Sequence, residues 1–130
     1  MLLLLANELA NEGFQYDELE RWAASGRAVL IGAWRSRVLV GAIIVSDHGE
    51  FSYIQGVCTR AAARRSGVGC CLVQAAVDIS CDRPVWAKIA RANVASRELF
   101  VRAGFTRRCA GAAPSEIAIE HDEEYDVYEL

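Results

Sequence analysis

Apolar residues recur with helical spacing through the first part of the chain. Residues 2–11 and 16–24 place apolar side chains three or four positions apart, and Gly13 and Gly26 follow as residues that commonly end helices. This pattern predicts two short opening helices.

Three runs rich in β-branched residues come next, at residues 28–34, 38–45 and 51–59. Arg35-Ser36-Arg37 separates the first two runs, and Asp47-His48-Gly49 marks a turn before the third. Because such short connections join antiparallel strands, the sequence predicts an antiparallel three-stranded meander.

The pattern becomes helical at residues 68–81, and a strand follows Pro84 at residues 85–90. The predicted apolar face of this helix comprises Val68, Leu72, Ala75, Ala76 and Ile79, and the polar face Gln74 and Asp78. A strand, a helix and a strand in this order form a crossover, whose strands run parallel within one sheet.

Asn93 is predicted to cap a second helix that extends to Ala103, and Gly104 followed by Phe105 to end it. Strands near residues 105–109 and 124–129 complete the pattern. We therefore expect one α+β domain over the whole chain, with a mixed, mostly antiparallel central sheet and helices on both faces.

The chain has 130 residues, 53% of them hydrophobic, which suits one sizeable core and leaves no room for a second domain. Arg35 and Arg37 interrupt the longest apolar stretch, so that no segment reaches the roughly 20 residues that span a bilayer. The run from Leu2 to Leu5 lacks a basic flank and is too short for a secretory signal. We expect a cytoplasmic protein without a membrane partner.

The five cysteines contain no C-x-x-C pair, and only two histidines could join them as metal ligands. Reduced, mostly buried thiols and no bound metal are therefore expected. The cysteines are Cys58, Cys70, Cys71, Cys81 and Cys109.

The net charge of −3 is unevenly distributed. Residues 60–108 contain ten basic and three acidic residues, whereas residues 109–130 contain seven acidic residues and no Lys or Arg. The basic part suits a polyanionic ligand and the acidic part a cationic one, although both are also typical of solvated surfaces. The negative total and the lack of an aromatic-rich basic motif do not favour a nucleic-acid partner.

The turn Arg64-Arg65-Ser66-Gly67-Val68-Gly69 lies where a strand gives way to a helix. Free amides and the helix dipole attract anions there, and glycine lets a phosphate approach the main chain. An ordinary glycine turn with solvated arginines would have the same sequence. The turn is too short for a Walker A loop, and the preceding meander does not fit a dinucleotide-binding fold.

A second segment makes the pattern specific. Arg64-x-x-Gly67-x-Gly69 resembles the Q/R-x-x-G-x-G/A signature of the GNAT acyltransferase superfamily. Asn93-x-x-Ser96-x-x-Leu99-Phe100-x-x-Ala103-Gly104-Phe105 resembles that family's N-x-x-[AS]-x-x-L-Y-x-x-x-G-F segment. The order of elements is also similar over nearly the whole chain, except that the family's first strand is short or missing.

This resemblance implies an N-acetyltransferase that uses acetyl-CoA (CoA) and no metal. In the family, the end of the fourth strand opens away from its neighbouring strand and pairs with the pantetheine arm of CoA, and residues 51–59 correspond to that strand here. The turn at residues 64–69 corresponds to the one that binds the pyrophosphate. The implied cofactor-binding residues are Val57, Cys58, Thr59, Arg64, Arg65, Ser66, Gly67, Val68, Gly69, Cys70, Asn93 and Phe100.

The resemblance leaves the catalytic side chains open. The family's thiolate-protonating tyrosine is replaced by Phe100, so Tyr53, Ser96 or water would have to supply that proton. Tyr53 also stands where a family glutamate acts as the base, and Glu50 is the nearest carboxylate. Glu120, His121 and Asp122 are further candidates for the base, and each is also typical of a solvated surface.

We expect direct attack by a primary amine of a small molecule or protein. The acceptor would be bound by residues 2–26 and 110–123, and the acidic residues of the latter favour a cationic amine. The alternative is an acyl-CoA-binding regulatory module without useful turnover. The resemblance also allows a homodimer.

Overall fold

Residues 24–117 and 124–130 are described in a computed structural model of the chain. The strands are β1 Ala28–Arg35, β2 Val38–Asp47, β3 Ser52–Thr59, β4 Val85–Ala90, β5 Thr106–Arg108 and β6 Tyr125–Glu129. The helices are α1 Val68–Ile79 and α2 Val94–Arg102, with short 3-10 turns at Ala61–Ala63 and Ala110–Ala112. Every predicted element in the described residues is present, with ends that differ by one or two residues.

The strands form one six-stranded sheet in the order β1-β2-β3-β4-β6-β5. Among the described strands, only β3 and β4 are parallel neighbours, and α1 provides the crossover between them. The other neighbouring pairs are antiparallel. The mixed, mostly antiparallel sheet is therefore confirmed.

Both described helices pack against the same face of the sheet and form the main core with it. The buried face of α1 differs from the predicted one, because Val73 and Ser80 are buried whereas Ile79 is 44% exposed. Val73 and Ser80 are seven residues apart and therefore on the same side of α1. The buried Ser80 hydroxyl donates to the Ala76 carbonyl at 2.7 Å, which satisfies its polar group.

The ends of α2 follow its sequence signals. The Asn93 side chain accepts a hydrogen bond from the Ser96 amide at 3.1 Å and so caps the helix. Gly104 has φ +96°, and the Phe105 amide donates to the Phe100 carbonyl at 3.0 Å. The Phe100 and Phe105 rings meet edge to face, with centroids 5.0 Å apart, which completes an apolar helix stop.

The opposite face of the sheet carries a smaller core made of Phe51, Trp86, Ile117 and Val127.

Some predicted elements lie almost wholly outside the described residues. These are the opening helices at residues 2–11 and 16–24 and a short first strand. Within residues 24–117 and 124–130, no helix has the length and apolar character needed to cross a membrane.

The prediction of mostly buried cysteines is wrong. Cys58 in β3 is buried, whereas Cys70, Cys71, Cys81 and Cys109 are exposed, and all five are free thiols. Cys70 and Cys71 lie on α1 between its buried positions and face solvent, while Cys81 and Cys109 follow the ends of α1 and β5. The described residues contain no group of three or more side chains that could hold a metal ion.

Gly41 allows α1 to lie close to the sheet. A Cβ atom at this position of β2 would lie 2.9 Å from the Cys58 carbonyl oxygen, 2.9 Å from Val68 Cγ1 and 3.0 Å from Leu72 Cδ1. One of these contacts is main chain, which cannot rotate away. Any side chain at residue 41 must therefore displace α1 or β3.

We predict that Gly41→Ala lowers the free energy of unfolding by about 1–3 kcal/mol, the usual cost of overpacking a core. Gly111→Ala is the matched control, because no atom lies within 4 Å of a Cβ at Gly111. It should change stability by less than about 0.5 kcal/mol. Urea unfolding of both variants provides the comparison, and equal midpoints would contradict the close packing of α1 at Gly41.

Candidate functional site

β3 and β4 separate partway along their length. They pair only from Ser52 to Ile54 in β3 and from Val85 to Ala87 in β4, although both strands continue for several residues. A cleft therefore opens between residues 55–59 and 88–90. Among the described strands, none lies beside the part of β3 that faces this cleft.

A β-bulge marks the point of separation. On its other side β3 pairs with β2, where Ile44 lies opposite Gly56 and Val45 lies opposite Ile54. Gln55 is therefore the extra residue, and such a bulge bends the strand that contains it. The bulge directly follows Ile54, the last residue of β3 that pairs with β4.

The turn before α1 stands at the end of β3 that borders the cleft. Arg65 and Gly67 both have left-handed backbone conformations, with φ +63° and φ +84°. Within residues 24–117 and 124–130, the main-chain amides of Gly67, Val68 and Gly69 have no hydrogen-bond acceptor. These amides and the positive end of the α1 dipole can bind an anion.

The two glycines of the turn differ in their surroundings. No atom lies within 4 Å of a Cβ placed on Gly67, so this residue faces open space. A Cβ on Gly69 would lie 3.1 Å from Leu99 Cδ2. Gly67 therefore provides the left-handed turn and access to the main chain, whereas Gly69 allows α1 and α2 to pack closely.

Three hydrogen bonds fix the shape of the turn. Arg64 Nε donates to the Thr59 carbonyl at 3.2 Å, which ties the turn to the end of β3. The Ser66 hydroxyl donates to the Ala63 carbonyl. Arg35 Nη2 donates to Ser66 Oγ at 3.2 Å from the hairpin between β1 and β2.

Arg35 is a further candidate site residue, and its sequence position did not reveal this role. Its position in Arg35-Ser36-Arg37 indicated only a polar turn, because the contact with Ser66 joins residues 31 positions apart. Arg35 adds its charge to those of Arg64 and Arg65, and no acidic residue occurs between residues 51 and 77. The surroundings of the free amides are therefore strongly positive.

The remaining predicted cofactor residues occupy defined positions. Val57, Cys58 and Thr59 form the end of β3 beside the cleft. The Asn93 side chain serves as the cap of α2. Phe100 is 2% exposed and belongs to the main core, where its ring carries no hydroxyl group.

The predicted catalytic residues are more widely spread. Tyr53 is half-buried on the face of the sheet opposite the helices, in register with Trp86 just before the cleft opens. Ser96 is half-buried in the first turn of α2, and Glu50 is exposed in the hairpin before β3. Residues 120, 121 and 122 lie outside the described part of the chain.

A further charged group lies on the Tyr53 face. Lys88 follows Ala87, the last paired residue of β4, and its Nζ atom is 4.5 Å from the centroid of the Tyr125 ring. The cleft thus has an anion-binding turn at its end and a cation beside an aromatic ring on one face. This arrangement suits an extended ligand with a phosphate-bearing end and a reactive end that enters the cleft.

The model of the acetyltransferase (GNAT) family matches residues 3–105 of the chain. A search of the curated proteins gives no match.

Solved structures share the fold at low sequence identity. The crystal structure of Tetrahymena GCN5 has a TM-score of 0.73 and 14% identity, over 99% of this chain and 84% of that chain. The ribosomal-protein-S18-alanine N-acetyltransferase from Escherichia coli has a TM-score of 0.69 and 15% identity, over 90% and 76%. A Bacillus subtilis acetyltransferase in complex with CoA has a TM-score of 0.64 and 12% identity, over 88% and 82%.

Proposed function

Because the chain belongs to the acetyltransferase (GNAT) family, we propose that it transfers an acetyl group from acetyl-CoA to a primary amine. One observation carries this proposal: the free amides at the start of α1 lie beside the cleft between β3 and β4. Together they provide a phosphate-binding end and a channel for a thioester. The B. subtilis relative with CoA bound supports the choice of cofactor.

In this proposal the pyrophosphate of CoA binds to the amides of residues 65–70. Arg35 and Arg65 neutralise its charge, since guanidinium groups make strong charge-assisted hydrogen bonds with phosphate oxygens. Arg64 acts partly through its bond to Thr59, which holds the turn against β3. The pantetheine arm then pairs with the main chain of Val57, Cys58 and Thr59, which takes the place of the missing strand.

The transfer is a direct attack. The lone pair of a neutral amine attacks the thioester carbonyl carbon, and the carbon–sulfur bond breaks as the amide forms. Main-chain amides at the end of β3 stabilise the charge that develops on the carbonyl oxygen. The amine loses one proton and the CoA thiolate gains one, so a base and a proton donor, or water in either role, complete the reaction.

Tyr53 is the proposed side chain for one of these proton transfers, because it lies beside the opening of the cleft. Ser96 is a second candidate as proton donor, and Glu50 is a candidate base that would act through water. Phe100 contributes apolar contact only. Of the acidic residues near the chain end, Glu116 contacts His48 at 2.9 Å, and Asp126 contacts Arg91 at 2.9 Å.

These contacts bear on the acceptor. Glu116 and Asp126 already have cationic or imidazole partners within the protein, so they do not count as free charges for a substrate. A cationic acceptor therefore remains a proposal that depends on the acidic residues at positions 120, 122 and 123, outside the described part of the chain. Homodimer formation likewise remains a prediction.

An acyl-CoA-binding module without useful turnover is the second candidate function. The observation that favours it is the buried Phe100 ring, packed against Phe105 where the resemblance leads one to expect a hydroxyl group. The two functions differ in CoA release. Release of free thiol from acetyl-CoA with a panel of primary amines supports the enzyme, whereas tight binding without release supports the module.

We predict that Gly67→Val weakens CoA binding by at least about thirtyfold, because a β-branched residue strains the left-handed turn and so displaces its amides. Gly49→Val is the control, since Gly49 has the same φ of +84° and also faces open space but lies in the hairpin before β3. Isothermal titration of both variants tests this prediction. Equal affinities would count against the turn as the binding site.

We predict that Arg35→Ala weakens CoA binding by about threefold to tenfold, the effect expected for one exposed charge-assisted contact. Arg37→Ala removes the same charge from the same hairpin, and no hydrogen bond joins Arg37 to the turn within the described residues. It should change the affinity by less than about twofold. If both variants lose equal affinity, Arg35 acts only through general charge.

We predict that Tyr53→Phe slows acetyl transfer at least about tenfold while the CoA dissociation constant changes less than about threefold. The variant loses the hydroxyl group that is proposed to transfer a proton, so kcat falls while the contacts with the cofactor stay unchanged. Tyr128→Phe provides the control, because Tyr128 lies in the main core on the other face of the sheet. Unchanged turnover in Tyr53→Phe would remove Tyr53 from the mechanism.

A further inference from the structure

His48 joins two parts of the chain that are distant in sequence. Its Nδ1 atom lies 2.9 Å from Glu116 Oε2, and its Nε2 atom lies 2.8 Å from Ser46 Oγ. The side chain is only 7% exposed, and its ring stacks on Phe51 with centroids 4.7 Å apart and planes 1° from parallel. These two polar contacts and the stacking on Phe51 therefore hold the imidazole ring in place.

Ser46 extends this network to the place where the cleft begins. Its hydroxyl donates to the Tyr53 carbonyl at 3.3 Å and accepts a hydrogen bond from Gln55 Nε2 at 3.2 Å. Tyr53 and Gln55 flank Ile54, the last residue of β3 that pairs with β4. One buried hydroxyl thus contacts the strand on both sides of its point of separation.

The order of carboxylate, imidazole and hydroxyl is also found in hydrolases, but a nucleophilic role does not fit this serine. Ser46 is fully buried, so no substrate carbonyl can reach its oxygen. Its hydroxyl already has Tyr53, Gln55 and His48 as partners within the protein. The network therefore holds the main chain in place.

We infer that His48 is a positioning residue for acetyl transfer: through Ser46 it fixes the bulge at Gln55, and through Glu116 it ties this bulge to the segment before residue 118. This inference rests on the proposed function, because the bulge matters only if the cleft holds a thioester. The physical reason is that a bulge interrupts the strand ladder and leaves its geometry dependent on side-chain contacts.

The contact with Glu116 gives this network a second consequence. Ile117, the next residue, packs with Phe51 in the smaller core, so the segment is held by one polar and one apolar contact. The proposed acceptor-binding residues 110–123 include this segment. His48 therefore sets the relative positions of the cleft opening and one part of the acceptor region.

His48→Phe is the decisive variant, because it keeps an aromatic ring for stacking on Phe51 and removes both ring nitrogens. Glu116→Gln is the conservative variant, since its amide oxygen can still accept a hydrogen bond from His48. Glu98→Gln, on the exposed surface of α2, is the matched control. The measurements are amide hydrogen exchange of Ser52–Thr59, CoA affinity by titration, and kcat for CoA release from acetyl-CoA with primary amines.

For His48→Phe we expect about tenfold faster exchange in β3 and an approximately tenfold lower kcat, the size of effect produced by losing a buried hydrogen bond. The CoA dissociation constant should change less than about threefold, because the phosphate-binding turn is at the other end of β3. Glu98→Gln should stay within about twofold of the unmodified chain in all three measurements. Glu116→Gln should keep most of the exchange protection in β3 that His48→Phe loses, because the contact with His48 is retained.

Unchanged exchange in β3 would overturn the inference, and so would faster exchange with unchanged kcat. A lower melting temperature alone, with normal exchange and kcat at a temperature where the variant is folded, would also overturn it by showing a merely structural role. Ser46→Ala is the second variant if His48→Phe does not fold, and the same outcomes apply. Failure of the unmodified chain to bind CoA would instead contradict the proposed function, while the exchange comparison would still test the bulge.

Discussion

The separation of two parallel neighbours, β3 and β4, is the constraint on which the rest of the site depends. Main-chain N–H and C=O groups that leave a sheet need other partners, and in the proposed function the cofactor provides them along the part of β3 beyond Ile54. The bulge at Gln55 marks where the separation begins, and the turn at Gly67 closes the far end of the cleft. Strand, bulge, turn and helix therefore form one continuous structure around a space that suits a long, thin ligand.

Much of this fold follows from local sequence signals. The turn residues, the apolar runs of the strands and the capping residue Asn93 each determine the conformation of residues only a few positions away. The sequence was therefore enough to predict these elements. The turn before α1 is of this kind, because glycine at residue 67 directly permits the left-handed backbone found there. The exposed or buried state of individual helix positions was harder to predict, as Ile79 and the cysteines demonstrate, because it depends on how far the sheet extends beneath the helix.

The parts that could not be predicted arise from contacts between distant residues. Arg35 reaches Ser66 across 31 positions, and His48 reaches Glu116 across 68 positions. Neither pair has a recognisable spacing, because the sheet brings the partners together only after it has formed. The two signature glycines show the same limit, since the sequence pattern treats Gly67 and Gly69 alike although one faces open space and the other packs against Leu99.

Gly41 affects both the stability of the fold and the position of the turn before α1, although it does not line the cleft. The residues that press on it, Val68 and Leu72, belong to the opening turns of α1, where the unpaired amides also lie. A methyl group at residue 41 would push α1 away from the sheet and change the orientation of those amides. If the turn binds CoA as proposed, Gly41 therefore influences cofactor affinity although it lies in the interior of the sheet and does not line the cleft.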